Sequence, residues 1–250
     1  MAAAPISATP NPVPPDTAAL SQAARITNTF IAPSKTFTDV RRSASWWVPW
    51  LLMAIVGLLF IYAMDRQVGF DQIAHNEVAR NPKTVEQLDK LSPEQRAKQM
   101  SFAISLTRDI SYATPAIQLI AFVIIAGVLM GTFNLAAGAS IPFKAMLAIV
   151  VYGSLPSIIS GLLGIVSLFA GVDPAGFNVR NPVATNPAYF MDPSANKFLY
   201  SMASALDVFV LWSIVLMGIG VACNSKVKRG TAIGIILAWY LVYKMVGGAF

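Results

Sequence analysis

The chain has one cysteine, one histidine and few charges. The lone Cys223 excludes an intrachain disulfide, and a single apolar-flanked thiol reads as a small packing residue. The lone His75, in IAHNEV, has no second histidine and no cysteine at ligand spacing, so no zinc site is expected. Charged residues are 12% of 250, against about 25% in a soluble domain. They are also clumped: no Asp, Glu, Lys or Arg falls between Asp109 and Lys144, nor between Lys144 and Asp173. A soluble fold of this size would lack the charge to cover its surface. The net charge of +6 comes without a dense basic patch interleaved with aromatics, so nucleic acid is not an expected partner.

What the chain does have is 56% apolar residues, arranged in long uncharged runs of the kind that span a bilayer. Five spans are expected, at about residues 46–64, 114–136, 144–170, 203–223 and 231–250. The fold class is an all-α membrane protein, a five-span helix bundle with an amphipathic N-terminal helix and a small helical outer loop. Residues 1–17 carry five prolines and lack the basic and apolar regions of a signal peptide, so they read as a disordered Pro/Ala-rich tail. Residues 18–45 are an amphipathic cytoplasmic segment. Leu20, Ala24, Ile26, Phe30 and Ile31 fall on roughly one face, and the segment either lies in the membrane interface or packs as an ordinary helix.

Trp46, Trp47 and Trp50 open the first span, where indole rings prefer the headgroup level, and Arg41 and Arg42 just before them act as cytoplasmic anchors. Lys144, Lys226, Lys228 and Arg229 fall near the same face. This gives a cytoplasmic N-terminus and, with an odd span count, a C-terminus outside. Residues 65–111 form a polar loop. In it Ser92, Pro93 and Gln95 make a capping signal, so a helix is expected to start at Pro93 and run close to Pro115. Gly127 and Gly131 form a G-x-x-x-G, a candidate helix-packing face within the chain or between copies. In YGSLPSIISGLLG, Gly153 and Pro156 mark a candidate helix break, since proline removes a backbone donor.

Only Asp207 and Lys244 are ionisable within the spans. Each costs about 2.5–3.5 kcal/mol at a helix centre, so neither is expected to face lipid unpaired. The turn between spans four and five centres near Val227. Across an antiparallel hairpin the two residues differ in depth by only ~4–5 Å at 1.5 Å per residue. They are expected to form an interhelical ion pair; the alternatives are independent snorkelling and an ion or proton relay.

Enzyme chemistry finds no constellation. Ser154 has no intramembrane histidine to activate it, Asp207 has no second buried carboxylate, and no glycine-rich phosphate loop is present. No cofactor is implied. Transport would rest on the break at Pro156, because spans two to five show no polar lining.

The segment RITNTFIAPSKTFTDVRRSASWWVPWLL resembles the entry to bacterial members of the Yip domain family (Ypt/Rab-interacting proteins). Pro33, Lys35 and Phe37 stand in a P-x-x-x-F core, followed by Trp46, Trp47 and Pro49. GASIPFKAMLAIVVYGSLP is also similar to the family, with Phe143, Lys144, Tyr152 and Pro156 in matching places. The resemblance implies a five-span fold with no catalytic residues. It implies for eukaryotic members a role in vesicle traffic and binding of Rab-type GTPases through the cytoplasmic N-terminal region. Here that region is short and proline-rich, and the Ala-rich composition reads as bacterial. The expected function is a non-enzymatic scaffold in the bacterial cytoplasmic membrane, in contact with the bilayer and a protein partner or a second copy. The alternative is a small transporter or channel using Pro156.

Overall fold

In the computed structural model, residues 19–192 and 196–249 are described; the proline-rich tail lies outside them. The described residues form α-helices and no strand: α1 (Gln22–Ile31), α2 (Pro33–Val40), α3 (Trp47–Gln67), α4 (Phe70–Ala79), α5 (Pro82–Asp89), α6 (Pro93–Gly131), α7 (Phe143–Gly153), α8 (Pro156–Phe169), α9 (Lys197–Ser204), α10 (Val208–Asn224) and α11 (Arg229–Ala249). Four helical stretches are long and apolar enough to cross a membrane, with α7 and α8 forming one of them. A fifth is the bent pair α9 and α10. The protein is an all-α, multi-pass membrane bundle.

The capping signal at Ser92 starts α6 as expected. The Ser92 hydroxyl accepts from the Gln95 amide, and the Gln95 side chain accepts from the Ser92 amide. The helix does not stop near Pro115, however, but runs through it for 39 residues. At 1.5 Å per residue that is about 58 Å, nearly twice the ~30 Å hydrocarbon thickness. The helix packs against α4, where the rings of Tyr112 and Phe70 meet at 5.9 Å.

Helix α7 is the centre. Every residue from Ala145 to Gly153 is buried, with α2, α3, α6 and α10 around it. Because lipid tails are as apolar as leucine, these helices associate through close packing more than through a hydrophobic gain. The close packing falls on glycines of α7, α8 and α10; at Gly164 of α8 a methyl would meet the Phe60 ring of α3 at 2.7 Å. A methyl at Gly220 would sit 2.6 Å from Ile149 Cγ2 and 2.9 Å from Phe37 Cδ1; at Gly218 it would meet the backbone N and Cα of Ile233 at 3.0 Å. At Gly153 it would lie 3.2 Å from the Met217 backbone N. The expected G-x-x-x-G face does not act this way within the chain: a methyl on Gly127 or Gly131 meets no heavy atom within 4 Å.

The segment before the first span is a packed hairpin. Ser21 caps α1 and Pro33 opens α2. Between them lie the buried Arg25 and Asp39, with Arg25 Nε 2.7 Å from Asp39 Oδ2. Arg25 Nη1 donates to the Ser43 carbonyl at 2.8 Å, and the hydroxyls of Thr29 and Thr36 both donate to the Arg25 carbonyl at 2.8 Å. Asn224, at the end of α10, donates to the Phe37 carbonyl at 2.9 Å. The hairpin is thus packed on the bundle, with the charges of Arg25 and Asp39 turned inward and satisfied there.

The tryptophans divide. Trp47 is exposed, whereas Trp46 and Trp50 are partly buried against the core and stack edge to face at 6.4 Å. Only Trp47 of the three expected anchors faces outward. Arg41 and Arg42 are exposed in the turn after α2.

Two outcomes check this packing. Arg25→Met alone leaves a buried carboxylate and lowers stability by about 3–5 kcal/mol, while Arg25→Met with Asp39→Leu recovers most of it. Gly218→Val costs about 1–3 kcal/mol by overpacking, whereas Gly127→Leu with Gly131→Leu stays within about 0.5 kcal/mol. Thermal unfolding in detergent, followed on the monomer, reads all four variants.

Candidate functional site

The polar groups of the spans converge where α8, α10 and α11 leave a gap beside the loop of residues 171–186. The gap is a cavity of about 740 Å³. Its walls include Ser157 and Ser160 from α8, Ser213 from α10, and Tyr240, Tyr243 and Lys244 from α11. Ser157 lies near the middle of the 27-residue stretch Phe143–Phe169, so the cavity reaches mid-span. The expectation that spans two to five lack a polar lining is therefore corrected. The hydroxyls come singly from separate helices, and each looks like ordinary packing in its own run.

The break that shapes this cavity is in the fourth span. Helices α9 and α10 meet at 56°, and Asp207 is the N-cap of α10. Its Oδ1 accepts from the amides of Phe209 at 3.0 Å and Val210 at 3.1 Å. Its Oδ2 accepts from the Thr185 hydroxyl and from Asn186 Nδ2 at 3.3 Å. An aspartate in a helix-breaking position satisfies the orphan amides of the first turn and sits favourably at the positive end of the helix dipole.

Lys244 is across the cavity. Its Nζ donates to Ser204 Oγ at 2.9 Å and lies 5.8 Å from the Tyr240 ring centroid. Ser201 Oγ donates to the Lys244 carbonyl at 2.7 Å, tying α9 to α11. The expected Asp207–Lys244 ion pair is not made: the two line one cavity without coming within 4.0 Å of each other. The depth arithmetic assumed a continuous fourth helix. The bend instead turns Asp207 toward its own helix and the Thr185–Asn186 loop.

The loop beside the cavity is held by α4. Asn76 Nδ2 donates to the carbonyls of Pro174 and Phe177 at 2.8 and 3.1 Å, and Arg80 Nη2 donates to the Phe177 carbonyl at 2.6 Å. Glu77 pairs with Arg80 at 3.2 Å and Arg180 at 2.9 Å. The two polar loops thus form one cap at the ends of α3 and α8.

The break at Gly153 and Pro156 is present between α7 and α8, but it frees little for a substrate. Leu155 N donates to the Tyr152 carbonyl at 3.2 Å, Ser157 N to Ser154 at 3.0 Å and Ile158 N to Leu155 at 3.0 Å. Residues 153–156 are buried, so the turn seals the floor of the cavity. Below it the Tyr152 hydroxyl donates to Gln22 Oε1 at 2.9 Å. Among the described residues no group of three or more His, Cys, Asp or Glu side chains is placed to hold a metal. His75 lies in the cap, in a second, mostly apolar hollow with Val78, Leu88 and Met100.

The sequence that builds this hairpin and bundle carries a known domain. The sequence profile of the Yip1 domain matches residues 27–249. The chain belongs to the Yip1 domain family. The match takes in α2 to α11 and the second half of α1, so the cap and the cavity lie within the Yip1 domain, and the first half of α1, with Arg25, precedes the matched residues. No curated protein and no solved structure matches the chain.

The geometry separates two roles for Asp207. If it caps α10 and does not pair with Lys244, then exchanging the charges (Asp207→Lys with Lys244→Asp) is no more stable than the worse single variant. Asp207→Asn, which keeps an acceptor for the first-turn amides, retains more stability than Asp207→Leu, by about 0.5–2 kcal/mol. Unfolding midpoints of the five variants decide it, and rescue by the swap would show a direct pair.

Proposed function

We propose that this Yip1-domain protein is a non-enzymatic membrane scaffold that acts through a rigid basic platform on its cytoplasmic face. The observation that carries the reading is the docking of the α1–α2 hairpin on α10 and its turn. Arg229 Nη2 donates to Ser34 Oγ at 2.9 Å, which brings Lys35 beside Lys226, Lys228 and Arg229, all exposed. The nearby carboxylate, Asp39, is buried with Arg25, so the cluster keeps its positive charge. A fixed cationic surface suits an acidic protein partner, because complementary charge sets encounter rate and register. Basic residues near span ends also favour the cytoplasmic side. That supports an N-terminus inside, a cap outside and, over five spans, a C-terminus outside. The bacterial cytoplasmic membrane is the setting that the composition suggests.

A second reading, a small transporter, is favoured by one observation: a polar cavity that reaches mid-span beside a broken helix. Substrate sites of many transporters lie at such broken helices near the midplane.

A photo-crosslinking residue at position 35, activated in native membranes, tests the first reading. The expected result is one partner recovered in near-equal amount, with recovery falling at least about tenfold in Lys226→Glu, Lys228→Glu, Arg229→Glu, as like charges replace complementary ones. Recovery of the protein alone, together with solute flux by purified protein in liposomes, would transfer the assignment to transport.

A further inference from the structure

The cavity wall holds a cation, Lys244, that feels the charge of Asp207 across the gap but makes no direct ion pair with a carboxylate among the described residues. Lys244 continues the inward stripe of α11 through Ala232, Ile236 and Tyr240, at the four-residue spacing that keeps side chains on one helical face. An ammonium carries three donors, and the structure gives one of them, to Ser204 Oγ. The two carboxylates on the same wall are committed elsewhere. Asp207 accepts from Thr185, Asn186 and two backbone amides, and Glu77 holds Arg80 and Arg180. A positive charge at this depth is costly without a counter-ion or water. Around it stand Ser160 on α8 and Tyr240 and Tyr243 on α11, whose hydroxyls make no hydrogen bond to another described side chain. About 740 Å³ of space falls within the ~300–1,000 Å³ of small-molecule sites.

We propose that this cavity binds a phosphate ester of a hydroxylated molecule, with Lys244 as its counter-ion and the hydroxyls of Ser160, Tyr240 and Tyr243 as further donors. A phosphate offers three or more acceptor oxygens on one centre, which matches an ammonium and several hydroxyls better than a carboxylate's two. The ester comes from one of two sources, the headgroup of an anionic phospholipid or a soluble glycerol phosphate. The site stands whether the protein organises partners or moves solute, so its failure leaves the scaffold reading untouched.

The test uses the full chain in nanodiscs of phosphatidylcholine with or without phosphatidylglycerol, and in detergent with or without glycerol phosphate. Native mass spectrometry counts bound lipid, and thermal unfolding reads protection. Wild type, Lys244→Arg and the exposed cap control Lys98→Met are expected to retain phosphatidylglycerol or to be protected by glycerol phosphate. Lys244→Met is expected to lose about tenfold in affinity, the loss of one charge-assisted contact. Tyr243→Phe, at an exposed position, removes only a hydroxyl and is expected to weaken binding severalfold; it serves if Lys244→Met does not fold. Retention of phosphatidylglycerol alone identifies the lipid source, and protection by glycerol phosphate alone identifies the soluble one. Binding that is absent in wild type, or equal in Lys244→Met and in Tyr243→Phe, overturns the proposal.

Discussion

The bundle depends on how closely its neighbours approach α10. Inside a bilayer there is little hydrophobic gain in bringing two apolar helices together, so contact distance sets the energy. Gly218 lets the backbone of α11 approach at Ile233, and Gly220 admits Ile149 of α7 and Phe37 of α2 on the same helix. One helix thereby positions the N-terminal hairpin, the buried central helix and the C-terminal helix at once. Its two ends then carry separate duties. Asp207 at the start shapes the polar cavity, and Asn224 at the finish holds the Phe37 carbonyl of the hairpin.

The same environment dictates the polar chemistry. Hydrocarbon offers no hydrogen bonds, so each polar group inside the bundle is answered by protein or lines a cavity. The turn at Pro156 closes its own backbone bonds, and Asn134 clamps the amide and carbonyl of Ile141 at 3.0 Å each across the loop before α7. Asp207 replaces the missing turn of α10. Arg25 and Asp39 neutralise each other, and both threonines of the hairpin fold onto the Arg25 carbonyl. Lys244 is the exception, held by a hydroxyl and an aromatic face.

Hydropathy alone did not show that α6 starts at Pro93 or that the fourth stretch is bent. It showed that several long apolar helices are present, because length and apolarity of a single helix are local properties. The cap of α6 and the break at Pro156 were legible for the same reason: Ser92, Gln95 and the proline act on their own backbone. The bend at Asp207 was not. An aspartate in an apolar run reads as a charge seeking a cation, and its capping role needs the loop at Thr185 and Asn186, some twenty residues away. The cavity was hidden likewise, since Ser157, Ser213 and Lys244 lie on three helices whose periodicities say nothing of each other. The G-x-x-x-G pattern drew the eye to Gly127 and Gly131, whereas the close approaches use Gly153, Gly164, Gly218 and Gly220. Which glycine admits a neighbour depends on the partner helix, and that information is not local. Arg25 and Asp39, fourteen positions apart, become a buried pair only when the hairpin folds.

The hairpin and the cavity meet across a thin partition. Ser157 faces the cavity, and five residues earlier Tyr152 bonds Gln22 of α1; between them stand only the buried turn at 153–156 and Met217 packed on Gly153. Passage from one side to the other would require the hairpin to leave α7 and α10. That movement would separate or expose the Arg25–Asp39 pair, at a cost of about 3–5 kcal/mol if the pair is broken while buried. It would also strip the Phe37 carbonyl of Asn224. A platform needs none of these changes, because its basic cluster is already assembled and outward. The arrangement of the partition is thus the one the proposed platform requires, a hairpin held in place on α7 and α10 with the cavity on the other side of the turn.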